Sequence, residues 1–340
     1  MAGKTVLILG GGVGGLVAAN ELRRKLHREH RIVLVDRKTQ HVFAPSFLWL
    51  MLGWRDPSRI SRDLSLLGRK GIEYVNAEVL EIDLGKRLVK TSDQDLPYDY
   101  LIVALGAELY PKAIPGLSKV AYNLDCLRGV IALRDALKKF SGGTAAVVIS
   151  ALPFKCPAAP YEAALLLDYA FRRRGIREKV DLQIFTPEPL PMPVAGPMVG
   201  GAVTQMVEER GIGFHPQWKL ISVDPEKREI TFENGRRARF DLLIVIPPHR
   251  SPEVVQKAGL TDGTGWIPVD KGTLKTQHEN VYALGDVTAI QLPGRYKPDV
   301  PLMLPKAGVF AHYQAEAVAQ NIVAEIQGRT PPVAFDGKGW

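Results

Sequence analysis

Apolar residues along this chain come in short, dense runs separated by turn chemistry. Thr5–Leu9 is apolar after its first residue and reads as a buried parallel strand. Gly10–Gly15 interrupts the run, Leu16–Leu26 carries helical spacing, and Arg31–Val35 is a second apolar strand ending at Asp36. That is one βαβ unit. Further on, Gly71-Ile72 opens a run through Glu78–Ile82 and Arg87–Thr91 to Tyr98-Asp99-Tyr100-Leu101-Ile102-Val103. Gly211-Ile212 opens a second, through Lys219–Val223 and Glu229–Phe232 to Phe240-Asp241-Leu242-Leu243-Ile244-Val245. Each predicts a small β-meander, then an aspartate, then a fully buried strand; Asn234-Gly235 marks a hairpin in the second. Before the second run, strands at Ala145–Ser150 and Val180–Phe185 flank a helix from about Pro157 to Arg174. The β–helix–β–meander–β plan therefore appears twice. The expected fold class is α/β, two tandem Rossmann-like domains of the FAD/NAD(P) type with three-layer ββα/βαβ architecture. Residues 1–112 and 276–340 are expected to form one discontinuous Rossmann-like domain, and 113–275 a second carrying a cysteine loop.

Composition changes this picture little. The 340 residues are 46% hydrophobic and 24% charged, ordinary globular material for about two domains. The net charge of +8 suits anionic head groups, an acidic partner or a small anion. Basic residues are spread along the chain, so nucleic acid is not expected as a partner. The two cysteines exclude a disulfide framework, and no metal is expected. No apolar run approaches the ~18 residues of a membrane-spanning helix. Lys4–Leu9 leads straight into the glycine turn, so no signal peptide is expected.

Gly10-Gly11-Gly12-Val13-Gly14-Gly15 satisfies G-x-G-x-x-G between a strand and a helix, and Asp36 follows about 20 residues later. Gly10 permits the tight turn, Gly12 lets backbone approach a pyrophosphate, and Gly15 allows close helix–strand packing. The helix N-terminus faces phosphate, and Asp36, with Arg37 beside it, meets the ribose. Two later segments point to FAD. Leu101–Gly106, ending Ala104-Leu105-Gly106, resembles the strand and turn that close over the dinucleotide in two-domain flavoproteins. Thr276–Val287 resembles the long flavoprotein motif in which Gly285 and Asp286 meet the ribityl chain.

The corresponding turn in the second half is Val148-Ile149-Ser150-Ala151-Leu152-Pro153-Phe154-Lys155-Cys156-Pro157. It has no glycine, two prolines stiffen it, and Leu152 and Phe154 are expected to block phosphate, so nicotinamide binding is not expected there. A cysteine stands in the cradle instead. Cys156 precedes Pro157, a natural first helical residue, where free N–H groups favour a thiolate. Lys155 adjoins it, and Glu162 is a candidate proton relay; a surface carboxylate is the alternative.

The segment Pro153–Glu162 resembles the sulfide:quinone oxidoreductases and the flavoprotein subunit of flavocytochrome c sulfide dehydrogenase. The likeness extends through Phe43-Ala44-Pro45-Ser46, the Gly285-Asp286 motif and Pro305-Lys306-Ala307-Gly308. It implies FAD-dependent sulfide oxidation through Cys156 and a flavin adduct, with electrons leaving to a quinone. A cytochrome acceptor or an NAD(P)H:quinone reductase are the alternatives; a non-catalytic redox sensor is a third. By the resemblance, Cys126 matches a further family cysteine, with a thiol buried on a helix Leu124–Lys138 as the other reading. Lys306 begins a helix aimed at the flavin pyrimidine, with an ordinary surface lysine as the other reading. Pro45 and Ser46 lie near the isoalloxazine, and Leu302, Leu304 and Phe310 line a quinone slot or simply fill the core. Two departures stand out. The family's partner cysteine follows a Gly-x-Gly segment, and after Phe335–Trp340 it would fall beyond Trp340; a truncated chain is the first explanation and natural loss of the cysteine the second. A family histidine is missing from Thr186–Pro197; His249, after the second apolar strand, is a weak candidate to replace it. A peripheral position on the cytoplasmic face of a membrane is expected, and a homo-oligomer is left open.

Overall fold

The buried apolar runs build two parallel sheets. The computed structural model describes residues 3–297, 300–330 and 333–337; Lys338, Gly339 and Trp340 of the Gly-x-Gly segment lie outside the described residues. The framework elements in chain order are β1 (Thr5–Leu9), α1 (Val13–Lys25), β2 (Arg31–Val35), β3 (Glu73–Val75), β4 (Tyr100–Val103), β5 (Tyr122–Asn123), α2 (Leu127–Lys139), β6 (Gly143–Ile149), α3 (Ala159–Arg173), β7 (Val180–Thr186), α4 (Pro197–Glu208), β8 (Gly213–Pro216), β9 (Leu242–Ile246), β10 (Val281–Ala283) and α5 (Gly308–Ile326).

Two compact units result. Met1–His41, Arg62–Glu108 and Arg250–Trp340 form the first; Val42–Ser61 and Leu109–His249 form the second. Residues 42–61 thus cluster with the unit that the sequence reading gave to the cysteine loop, and residues 250–275 with the other. Among the described residues no helix is long and apolar enough to cross a membrane.

In the first unit the sheet order is β10–β4–β1–β2–β3, every pair parallel. Val6, Leu7, Ile8 and Leu9 have no exposed surface, because β1 is paired on both edges and covered on both faces. That is why its apolar run is continuous rather than alternating. Helices α1 and α5 close one face with Ala18, Ala19, Leu22, Ala315, Val318 and Ile322. The second unit repeats the plan as β5–β9–β6–β7–β8, again all parallel. Its core joins Val147, Ile149, Ile184 and Ile244 to Ala163, Leu167 and Phe171 of α3. Each of the larger side chains, the valine, isoleucines, leucine and phenylalanine, contributes about 1.5–3 kcal/mol when fully buried.

The three-stranded meanders lie at Val79–Asp83, Leu88–Thr91 and Asp95–Pro97, and at Leu220–Asp224, Glu229–Phe232 and Arg237–Arg239. The aspartate after each has one structural job. Asp99 Oδ2 accepts from the Thr5 N–H at 2.8 Å while the Asp99 N–H donates to Thr5 O at 2.9 Å. Asp241 does the same to Thr144, both at 2.8 Å. Each aspartate thus pins the strand that follows it to the start of the central strand. Burial alone would raise the Asp99 pKa, but the Thr5 N–H and Lys4 outweigh it and hold the carboxyl below its ordinary range.

Asp99→Ala should therefore lower the unfolding free energy by about 1–2 kcal/mol at neutral pH, nearly all from the backbone bond, since the exposed Lys4 pair adds little. The folded-state pKa is depressed, so this contribution is complete above about pH 4 and lost as pH falls. Urea unfolding at pH 7 and pH 3 checks it: the gap between variant and parent should shrink in acid, and equal midpoints at pH 7 would refute it.

Candidate active site

In the first unit the turn after β1 is shaped by what each glycine must avoid. Gly10 has φ +108°, and a Cβ there would lie 2.4 Å from Ala104 O. A Cβ on Gly15 would lie 1.8 Å from Gly10 O, and one on Gly14 would strike Leu284 at 2.2 Å. Gly12 differs: a Cβ there would meet nothing within 4 Å. Gly10, Gly14 and Gly15 serve packing, whereas Gly12 borders open space at the start of α1, whose first N–H groups have no partner within the helix. That is the room a phosphate needs. Val13 begins α1, and a Cβ added to Gly308 at the start of α5 would lie 3.4 Å from Val13 Cγ2.

Asp36, at the end of β2, turns toward the glycines. Its Oδ2 accepts from the Gly11 N–H at 2.6 Å and its Oδ1 from the Lys38 N–H at 2.8 Å. A carboxylate has lone pairs to spare for ribose hydroxyls. Arg37 is exposed and pairs with Glu78 at 3.1 Å. Ala104 donates its N–H to Leu9 O at 2.8 Å, and Gly106 takes φ +70°. His41, whose Nδ1 lies 3.0 Å from Gly11 O, was not singled out from the sequence.

A small polar concavity lies near the carboxyl end of β10, lined among others by Asp286, Thr288, Leu304, Lys306, Phe310 and Gln314. Gly285 takes φ +73° and donates its N–H to the buried Gln314 Oε1 at 2.7 Å. Lys306 does not start the helix as expected from the sequence; α5 begins at Gly308 with Ala307 as its cap. Lys306 is only 7% exposed, so it is no ordinary surface lysine. Its Nζ donates to Asp286 O at 2.6 Å and Thr288 O at 3.2 Å and lies 3.4 Å from the centre of the Trp266 ring. Burial lowers its pKa to about 8 against the pull of Asp286. Leu304 and Phe310 are partly buried and pack on the α1–α5 core; Leu302 is also partly buried.

In the second unit the segment after β6 holds the cysteine. Ser150 continues the sheet by donating its N–H to Ile246 O at 3.0 Å. Phe154 is buried, whereas Leu152 stays 44% exposed. Cys156 is exposed and takes φ +54°, a left-handed conformation that costs a non-glycine residue about 1–2 kcal/mol. Its carbonyl accepts the Ala159 N–H at 2.9 Å, which joins the residue to the start of α3. Glu162 is exposed in the first turn of α3.

Cys126 is not within a helix. It caps α2, its Sγ accepting from the Gly129 N–H at 3.4 Å, and it is half-buried. Beside it, Asp125 Oδ2 lies 3.2 Å from Nε2 of the fully enclosed His249 ring. Pro45 is exposed and Ser46 half-buried in a single turn before the short helix Phe47–Met51. Sequence reasoning missed one more group. Glu188 is 2% exposed, and its Oε2 accepts from Tyr161 OH at 2.5 Å and from Thr186 Oγ1 at 3.1 Å. Burial raises its pKa to about 7, against the hydrogen bonds of Tyr161, Thr186 and the Met192 N–H. A lone glutamate after a strand carries no signal that would have found it.

A strand, a glycine turn open at one residue, and a helix of the first unit make a dinucleotide-binding α/β protein. The chain belongs to the pyridine nucleotide-disulphide oxidoreductase family, whose model matches residues 4–315, and within it to the sulfide-quinone reductases. It is 32% identical to the sulfide-quinone reductase of Aquifex aeolicus over 95% of this chain and 77% of that protein. It is 28% identical to the mitochondrial sulfide:quinone oxidoreductase of Mus musculus over 83% of this chain, spanning 65% of that protein's length. The X-ray structure of the Aquifex aeolicus sulfide:quinone oxidoreductase superposes with a TM-score of 0.86 at 28% identity, over 96% of this chain and 77% of that one. This chain is thus a flavin-dependent oxidoreductase.

The glycines separate packing from ligand approach. Gly15→Ala should destabilise the protein by about 3 kcal/mol or more, because backbone must move. Gly12→Ala should leave the thermal midpoint of flavin-free protein within a few degrees yet weaken flavin binding at least tenfold. Flavin titration followed by fluorescence, with thermal melts, checks both; equal flavin affinity in Gly12→Ala would refute the role of that opening.

Proposed function

We propose that this chain oxidises sulfide with FAD and passes the electrons to a quinone. The observation that carries the reading is Cys156. An exposed thiol at positive φ occupies the turn between the central strand and the following helix, where the first unit carries its glycines. Cofactor approach in the first unit and sulfur chemistry in the second are thereby assigned to equivalent turns of two repeats.

FAD, when bound, accepts an electron pair from a sulfur donor and gives it up to the acceptor. The chain's own groups hold it. Gly12 leaves space for the pyrophosphate, Val13, Gly14 and Gly15 bring the α1 N-terminus to it, and Asp36 accepts from ribose hydroxyls. Ala104 and Gly106 bound the same turn, and Asp286 serves the ribityl chain. Lys306, held by two carbonyls and Trp266, places a cation close to the N-terminus of α5, and both favour negative charge on a reduced flavin.

The start of α3 favours a thiolate at Cys156, the form that exchanges with sulfur. Glu162, exposed in the same turn, takes the proton. Cys126 is the second thiol of the reading. Net charge +8 fits attachment to an anionic membrane surface, for which the cytoplasmic face is proposed.

Anaerobic addition of sulfide to the flavin-loaded protein should bleach the flavin band near ~450 nm, and NADH should not, since the second turn has no glycine. Cys156→Ser should abolish sulfide-dependent bleaching with flavin still bound. Normal bleaching in Cys156→Ser, or bleaching by NADH alone, would overturn the reading.

A further inference from the structure

The buried carboxylate Glu188 has no part in the chemistry described so far, yet it is tied to the helix that begins at the cysteine turn. Tyr161 lies five residues after Cys156, in the first turns of α3, and is 2% exposed. Its hydroxyl donates to Glu188 Oε2 at 2.5 Å. Glu188 is anchored in turn at the end of β7. Thr186 Oγ1 donates to the same oxygen at 3.1 Å, the Glu188 N–H donates to Thr186 Oγ1 at 3.1 Å, and Glu188 O accepts the Gln217 N–H at 3.0 Å. Cys156 O accepts the Ala159 N–H, so the cysteine backbone is continuous with the helix that Tyr161 fixes.

Other ionisable groups on the surrounding elements have partners elsewhere. On α3, Asp168 pairs with Arg172 at 2.9 Å and with Arg177 at 2.6 Å, and Glu162 is exposed. On β7, Asp181 bonds Gln183. On β8, His215 lies 2.5 Å from Gln183 Oε1 and stacks on Phe185. Among the described residues Glu188 meets only hydroxyl and amide donors, so none of opposite charge cancels a charge that forms there.

We propose that Glu188 is a positioning residue for Cys156, holding the first turns of α3 through Tyr161 and, when ionised, setting a negative charge against those turns. The proposal rests on the reading of Cys156 as the reactive thiol. The sign follows directly. A neutral Glu188 leaves the helix N-terminus free to favour a thiolate, and an ionised one opposes it. Reactivity of Cys156 should therefore climb less steeply through neutral pH than a lone thiol would.

The test measures iodoacetamide labelling of Cys156 in the flavin-loaded protein from pH 5.5 to 9, read on the Cys156 peptide by mass spectrometry. The parent should show an inflection near pH 7 in addition to that of the thiol. Glu188→Gln should lose that inflection and label about three- to tenfold faster at pH 8, the size of a like-charge effect across partly screened protein. Tyr161→Phe removes a bond that favours the ionised form and should move the inflection upward. Should Glu188→Gln fail to fold, Thr186→Val should also move it upward. Superimposable profiles for the parent and Glu188→Gln, or an unmoved inflection in Tyr161→Phe, would overturn the proposal, whatever the melting temperatures. Labelling requires no sulfide, so failure of the coupling is distinct from normal bleaching in Cys156→Ser, which would overturn the functional reading instead.

Discussion

The ligand end of the first unit depends on one backbone contact, that of Gly15 with Gly10. The chain must leave β1 and enter α1 within a few residues, and a side chain at Gly15 would sit 1.8 Å from the Gly10 carbonyl. Only bare backbone lets the helix start so close to the strand end. The consequences spread outward. With α1 in place, Gly14 can lie under Leu284 and Val13 can meet Gly308, so α5 packs against α1 and β10 ends where Asp286 and Lys306 line one concavity. Groups far apart in sequence share that end of the unit because a glycine contact sets the helix that they pack around.

The second unit keeps the frame and changes the turn. Both meanders place an arginine at positive φ, Arg87 at 50° and Arg228 at 51°. Both use an aspartate, Asp83 or Asp224, to accept the N–H of the lysine three residues on. Both pin the next strand with Asp99 or Asp241. Such agreement in structurally minor details shows one plan used twice. The turns after the central strands do not agree. The first places glycines where backbone must approach backbone; the second puts a cysteine at φ +54° and buries Phe154 two residues before it. A left-handed cysteine costs more than a left-handed glycine, and such strain persists where surrounding structure enforces it.

Much of this was legible in the sequence because the signals are local. Glycine spacing, continuous apolar strands, meanders and the aspartates that follow them are set by neighbours a few residues apart. What was not legible came from long-range packing. Nothing near Lys306 in sequence announces Trp266, and the helix start was misplaced by two residues because Lys306 turns inward to the carbonyls of Asp286 and Thr288 instead of opening α5. Cys126 reads as one more residue of a helical run, and its role as a cap depends on the bond from Gly129. Residues 42–61 fall early in the chain but cluster with the second unit, since Phe47, Leu48, Leu50 and Met51 join its core with Leu133 and Val147. Apolar patterning tells which residues will be buried, not against which partner.

Burial of charge follows two different rules in this chain. Asp168, 3% exposed, is met by the guanidinium groups of Arg172 and Arg177, so its charge is balanced where it forms. Lys306 and Glu188, 7% and 2% exposed, make their hydrogen bonds with neutral groups: carbonyls for the lysine, whose burial the Asp286 carboxylate only partly offsets, and hydroxyls and an amide for the glutamate. Neutral partners satisfy hydrogen bonds without repaying the lost hydration of the ion. Burial therefore lowers the lysine to about 8 and raises the glutamate to about 7, bringing both toward neutrality from opposite sides. A pair balanced like Asp168 stays fixed in charge and serves the fold. A group whose hydrogen bonds are made with neutral dipoles stays free to change its charge, and this chain holds one in the Asp286 concavity and the other bonded to Tyr161 of α3, the helix that follows the Cys156 turn.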